Sequence, residues 1–183
     1  MRSVDTGRHN QAMTLQTVLE DPAAIGTWTL VPDRSEVTFT NKTLWGLVPV
    51  KGRFTDVSGR GTVGAGGAVA GRLDIRAASL RTGIGKRDEH LRSADFFDAD
   101  KYPEITVEVT GAGPDGDLQA ALSIRGPTLT IPLTATVSRL DRDSVRVTTR
   151  FQVDRTRWGV SGNMIGMMPT TTTLAADAVF VKS

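Results

Sequence analysis

The chain of 183 residues predicts an all-β domain, an antiparallel barrel or sandwich of about eight or nine strands. Three observations carry this expectation. Short segments alternate apolar and polar side chains with period two, as half-buried strands do. Clusters of glycine, proline, asparagine and aspartate separate them as hairpin turns would. Hardly any stretch repeats its apolar residues at helical spacing. A parallel sheet covered on both faces would show continuous apolar runs instead. A closed barrel of about eight strands also has room for one small ligand.

Residues 1–25 read as a mostly disordered N-terminal tail, polar and aperiodic at first, with a short helical turn at Met13–Leu19 that stops before Pro22. The barrel domain is expected over residues 26–183. Thr27–Val31 is a first strand, and Pro32-Asp33-Arg34-Ser35 is a turn. Glu36–Asn41 alternates, with Val37 and Phe39 on one face. Leu44-Trp45-Gly46-Leu47 is apolar but broken by glycine, which suits a bend or bulge. Val48–Val57 resumes extended structure and carries Arg53 and Phe54. Gly59-Arg60-Gly61-Thr62-Val63-Gly64 matches the letters of the dinucleotide fingerprint, which needs a helix opening on its last glycine. Here more glycine follows, then an alternating strand at Ala68–Ala78, so the segment reads as a hairpin turn.

Lys86–Val109 is the stretch of most distinctive composition. Arg87-Asp88-Glu89-His90-Leu91-Arg92 can form a helical turn, with Asp88 and Arg92 spaced i,i+4. A long loop or short helix is therefore expected around residues 86–100. Phe96-Phe97 follow, and Lys101-Tyr102-Pro103 leads rigidly into a strand with Ile105, Val107 and Val109 on one face. Long ordered connections in compact domains are often functional. Beyond the turn at Gly111–Gly116, alternation continues through Leu118–Ile124, Leu129–Val137 and Val145–Val153. Trp158–Met168 is irregular, glycine-spaced and rich in methionine. The last strand, Thr170–Val181, sets Leu174, Ala176, Ala178 and Phe180 on one face.

Composition narrows the function classes. The formal net charge is +2 and the arginines are scattered singly, as at Arg72, Arg76, Arg146 and Arg150, so no basic field suited to nucleic acid exists. Without cysteine, disulfides, thiolate metal sites and cysteine nucleophiles are excluded, which fits a reducing compartment. No segment approaches the roughly 18 apolar residues of a membrane span. The N-terminus lacks the uninterrupted apolar run of a secretory signal. A cytoplasmic protein that does not span a membrane is the expectation.

Catalytic and metal constellations do not stand out. The histidines are His9 and His90, and His90 with Asp88, Asp95 or Asp98 matches no dedicated metal spacing. Gly159-Val160-Ser161-Gly162 is not a nucleophile elbow. No cofactor is expected. The charged run has two readings, a solvated loop held against the barrel rim or a polar gate with Leu91, Phe96 and Phe97 pointing inward. The tryptophans and the Met164–Met168 run divide similarly, between filler that plugs the barrel and an adaptable apolar pocket.

The run RDEHLRSADFFDADKYPEITV, at residues 87–107, closely resembles the signature of the YceI-like family of lipocalin-like, polyisoprenoid-binding proteins. Trp28–Val37 resembles the family's opening strand and turn. Val50-Lys51-Gly52-Arg53-Phe54 resembles its V-x-G-R-F element, and Leu122-Ser123-Ile124-Arg125-Gly126 with Thr128 its L-x-I-x-G-x-T strand. The resemblance implies an extended lipocalin-like antiparallel barrel around a long apolar tunnel, often in a homodimer. It implies non-covalent binding, storage or transport of a long isoprenoid (polyprenyl phosphate or quinone) or another amphiphilic lipid, without catalysis. On this reading the apolar wall comprises Trp45, Phe54, Leu91, Phe96, Phe97, Trp158, Met164, Ile165, Met167 and Met168. Arg53, Arg87, His90 and Arg92 are the candidates for a polar or anionic head group. The rival is an enzyme using the same cavity, with His90 and Asp88 or Asp95 as acid and base. A third reading is an interaction protein whose barrel is simply plugged.

Overall fold

The computed structural model describes residues 12–43, 48–162 and 168–183. Its strand segments are β1 (Ala12–Met13), β2 (Gly26–Leu30), β3 (Glu36–Thr43), β4 (Val48–Phe54), β5 (Val57–Val63), β6 (Val69–Arg76), β7 (Leu80–Arg81), β8 (Glu104–Ala112), β9 (Asp117–Ser123), β10 (Thr128–Arg139), β11 (Ser144–Asp154) and β12 (Thr171–Lys182). The helices among the described residues are α1 (Leu15–Glu20), α2 (Gly85–Arg92) and short 3-10 turns. All strand pairings are antiparallel. The ring β10–β9–β8–β6–β5–β2–β12–β11 returns to β10, so the barrel closes on eight strands. Closure pairs the backbone of each ring strand on both sides and leaves no open edge in the ring.

The segments β3, β4 and β7 extend this ring at one end. β2 and β3 both pair with β12, at Phe180–Lys182 and Thr172–Asp177 respectively, so they act as one strand interrupted by the 3-10 turn Pro32–Arg34. β4 and β5 follow β3 and β2 in the same way, and β7 continues β6 alongside β4. Past Arg81 the chain leaves the sheet, and α2 with the connection at 93–103 packs against this end. The Arg92 side chain donates to Leu80 O at 2.6 Å, and Ala77 N donates to Pro103 O at 2.9 Å.

Alternation decides which side of each strand faces in. On β10, Ile131, Leu133, Ala135 and Val137 are buried while Pro132, Thr134 and Thr136 are exposed. Outward positions elsewhere carry Arg60, Arg72, Glu108 and Arg146. This is the reverse of the apolar outer band of a membrane-spanning barrel. Among the described residues no helix is long and apolar enough to cross a membrane.

Two local differences from the sequence reading have clear causes. The glycine-rich hairpin exists, but its turn is confined to residues 64–68, where Gly66 and Gly67 adopt φ of +70° and +79°. Gly59 and Gly61 lie inside β5. A Cβ at Gly59 would stand 3.3 Å from the Leu30 side chain, so glycine there admits a neighbour on the adjoining strand. The helical turn expected at Met13–Leu19 is present as α1, but instead of belonging to a mostly disordered tail it is packed with the 3-10 turn Pro22–Ala24 against the barrel, with Leu15, Val18, Leu19 and Ala24 buried. A six-residue helix is too short to hold itself, and burial of this apolar face orders it.

Candidate ligand cavity

The barrel encloses an apolar cavity of about 260 Å³. Its walls come from the inward faces of the strands: Val63 on β5, Val69 and Leu73 on β6, Val107 and Val109 on β8, Leu118 on β9, Leu133 and Ala135 on β10, Val147 and Phe151 on β11, and Leu174, Ala176 and Phe180 on β12. Leu73, Val109, Leu118, Phe151, Leu174 and Phe180 are only half-buried despite facing inward, because the space before them is hollow. Two alanines, Ala135 and Ala176, sit where larger side chains would have filled it. The cavity surface is almost wholly apolar. Arg72, whose backbone borders it, turns its guanidinium outward to Asp74 and Glu108 at 2.8 and 2.7 Å.

Each end is closed differently. At one end α1 lays Leu15, Val18 and Leu19 over the opening beside Trp28, Val137 and Val145. Trp28 Nε1 donates to Ala24 O at 2.8 Å, tying the segment after α1 to the wall. At the other end Phe39, Phe54 and Phe97 form a triad with ring centroids 5.7 to 6.5 Å apart, in tilted and edge-on contact. Beside them Trp158, 1% exposed, donates from Nε1 to Leu122 O at 2.8 Å. Arg125 holds this end together, donating to Phe96 O at 2.6 Å and Gly159 O at 2.8 Å.

Of the residues singled out from the sequence, Phe54 both lines the cavity and belongs to the triad. Leu91, Phe96 and Trp158 are buried in the core beyond it, and Phe97 and Met168 pack against that core half-buried. These five do not line the cavity. Trp45, Met164, Ile165 and Met167 lie outside the described residues. Arg53 is exposed on β4, facing an outer cleft with Arg34 and Asp177. Arg87 donates to Thr82 Oγ1 at 2.8 Å and Thr82 O at 2.9 Å, and Arg92 is bound to Leu80 O. His90 Nε2 stands 3.5 Å from Asp95 Oδ2, both substantially exposed, with its ring edge-on to Phe96 at 5.1 Å. Asp88 is buried and accepts from the Thr82 amide at 2.9 Å and from the Thr82 hydroxyl. The central charged run thus clamps α2 to the strand end.

Arg155 is a buried cation at the same end, donating to Val160 O and Pro169 O. Burial pushes its guanidinium pKa down, opposed by the charge of Asp154. Among the described residues no three histidine, aspartate or glutamate side chains converge to hold a metal ion. The wall residues of β6, β8, β9, β11 and β12 were not singled out from sequence as a site. Their signal was present as inward alternation, which does not say whether the enclosed volume is filled.

The family model described as a YceI-like domain matches residues 28–181. Protein YceI of Shigella flexneri is 35% identical over 89 residues, 46% of this chain and 47% of that protein. Protein YceI of Escherichia coli O157:H7 matches at the same identity and coverage. The chain therefore spans about half the length of the curated relatives it matches. Among solved structures, BcnA of Burkholderia cenocepacia is similar with a TM-score of 0.75 at 20% identity, covering 82% of this chain and 98% of BcnA. A polyisoprenoid binding domain from Saccharophagus degradans, implicated in plant cell wall breakdown, gives a TM-score of 0.73 at 20% identity, covering 85% of this chain and 98% of that one. At such identity these two likenesses establish the fold.

Proposed function

The chain belongs to the YceI-like family, and from that premise we propose that its barrel binds a long isoprenoid, such as a polyprenyl phosphate or a quinone, or a similar amphiphilic lipid. Binding is non-covalent, and the protein acts as a carrier or store. The observation that carries this reading is the hollow, an apolar volume of about 260 Å³ kept open inside a closed barrel. A protein of the same fold is described as a polyisoprenoid binding domain. The driving force follows from the lining. Each methylene moved from water into such a space contributes about 0.8 kcal/mol, so one five-carbon unit contributes a few kcal/mol. An enzyme using this space has less support, because His90, Asp88 and Asp95 are absent from its lining. Phe54 touches the chain directly in this proposal, and Phe97 backs it. A cytoplasmic setting and a homodimer complete the reading, to be tested by cell fractionation and sedimentation.

Ala176 offers a direct test, since its methyl faces the hollow from β12. Ala176→Phe fills the space without disturbing the strand's hydrogen bonds. The variant should unfold cooperatively at or above the wild-type temperature, as cavity filling commonly adds about 0.5–2 kcal/mol. It should lose uptake of geraniol, followed by tryptophan fluorescence. Undiminished uptake by a folded variant would count against the cavity as the binding site.

A further inference from the structure

Resting on the lipid-binding reading above, we propose that α1 is the movable cap of the cavity, limiting the chain length the closed barrel holds. When it lifts, Arg139 and Lys182 become the receptor for the ligand's anionic end.

Capacity is the first argument. A cavity of about 150 Å³ accommodates benzene, so the 260 Å³ found here suits a compact hydrocarbon and not a long one. A long chain needs one boundary to move. The lateral wall is a closed ring of hydrogen-bonded strands. The far end is tied by Trp158 to Leu122 O and by Arg125 to two backbone carbonyls. At the α1 end the cover is a helix of six residues. Its polar ties to the barrel cluster after the helix, where Arg139 Nη2 donates to Asp21 Oδ2 at 2.7 Å, Lys182 Nζ donates to Ala23 O at 2.7 Å and Trp28 Nε1 donates to Ala24 O at 2.8 Å. The barrel ring does not need this segment: α1 precedes residue 26, where the first ring strand begins, and residue 28, where the family match begins.

The second argument concerns charge. An anionic group inside the apolar cavity would be left without partners, so it must stay at a rim. At the α2 end Arg87, Arg92 and Arg125 donate to Thr82 or to backbone carbonyls, and Arg92 Nε is buried without an acceptor. At the α1 end Arg139 Nε is buried without an acceptor as well, but there Nη2 of the same guanidinium holds a carboxylate, Asp21, and not a backbone carbonyl. A guanidinium is built to bind an anion through two parallel N–H groups, and here one of those donors is unused. Asp21 therefore occupies the position that a phosphate or carboxylate would take more fully. Displacing Asp21 releases the segment that carries α1 and frees Lys182 from Ala23.

A reversible staple tests the cap. A Cβ at Gly67 would lie 3.6 Å from Leu19 Cβ, within the roughly 3.5–4.5 Å spanned by disulfides. The chain has no cysteine to interfere. In the Leu19→Cys, Gly67→Cys protein, the reduced form controls for the substitutions and for the positive φ at residue 67. The probes are geraniol, geranylgeraniol and geranylgeranyl phosphate, followed by calorimetry. The reduced form should bind all three. Geraniol taken up before oxidation should be retained by the oxidised form, whereas both long probes should bind it at least about tenfold more weakly than they bind the reduced form, because the competent open state is withdrawn. Equal long-chain affinity in both forms would overturn the cap. Failure of the unaltered protein to bind any probe would overturn the lipid-binding reading instead. If the double variant does not fold, Asp21→Asn reads the same latch: geranylgeranyl phosphate should enter several-fold faster, and an unchanged rate would overturn the cap. Arg139→Gln should abolish the preference for geranylgeranyl phosphate over geranylgeraniol. A preference left intact would remove Arg139 from the receptor.

Discussion

At Gly52, on β4, a Cβ would stand 2.2 Å from Cζ of Phe39, whose ring lies across the strand. The ring can take that place only because the residue opposite it has no side chain, and from there it reaches Phe54 and Phe97. Gly52→Ala should therefore displace the triad and destabilise the barrel by about 1–3 kcal/mol, read as a lower urea midpoint. An unchanged midpoint would mean that the triad adjusts freely. The V-K-G-R-F letters were visible in the sequence, but the reason for the glycine was not, since it lies across a strand pair and not along the chain. His90, Arg87 and Arg92 show a similar limit. Their charge is plain in the sequence, whereas their binding to Thr82, Leu80 O and Asp95 depends on α2 lying against the strand end.

Among elements, the long alternating strands were the most legible. β10 has the inward set expected for Leu129–Val137, because period two survives any register that keeps one face buried. Short elements depend on their partners. The helical turn expected at Met13–Leu19 is present as α1, but its docking depends on the surface that the barrel supplies, which nothing within six residues announces. The ends of such elements carry a pH dependence. Asp21 accepts from Ala23 N as the cap of the turn at 22–24, and this bond, followed by Arg139, holds its carboxyl below the usual range. Asp154 is lowered chiefly by the Thr156 hydroxyl, and Asp141 chiefly by the Ser144 hydroxyl. A carboxyl depressed in the folded state contributes stability that is complete above its unfolded value of about 3.9 and is lost as pH falls through the folded value. The urea midpoint should therefore be level from about pH 7 to pH 5 and decline below about pH 4. A loss already under way between pH 7 and pH 5 would contradict these three carboxylates as the source.

For the molecule as a whole, inside and outside were legible, while the state of the inside was not. Inward alternation is satisfied equally by a filled barrel and a hollow one. The difference lies in the sizes of residues that meet across the interior, such as Ala135, Ala176 and Leu118, which are far apart in the chain. Of the residues read as filler, Trp158 is buried at the α2 end beside Phe39, Phe54 and Phe97, while the space between them and α1 is hollow. The account's central claim is that this hollow holds an isoprenoid chain. Mass spectrometry of an organic extract, from protein purified natively from its own host, tests it most directly. The account predicts a stoichiometric isoprenoid or quinone in the extract. An empty extract, together with no uptake of added geranylgeraniol, would contradict it.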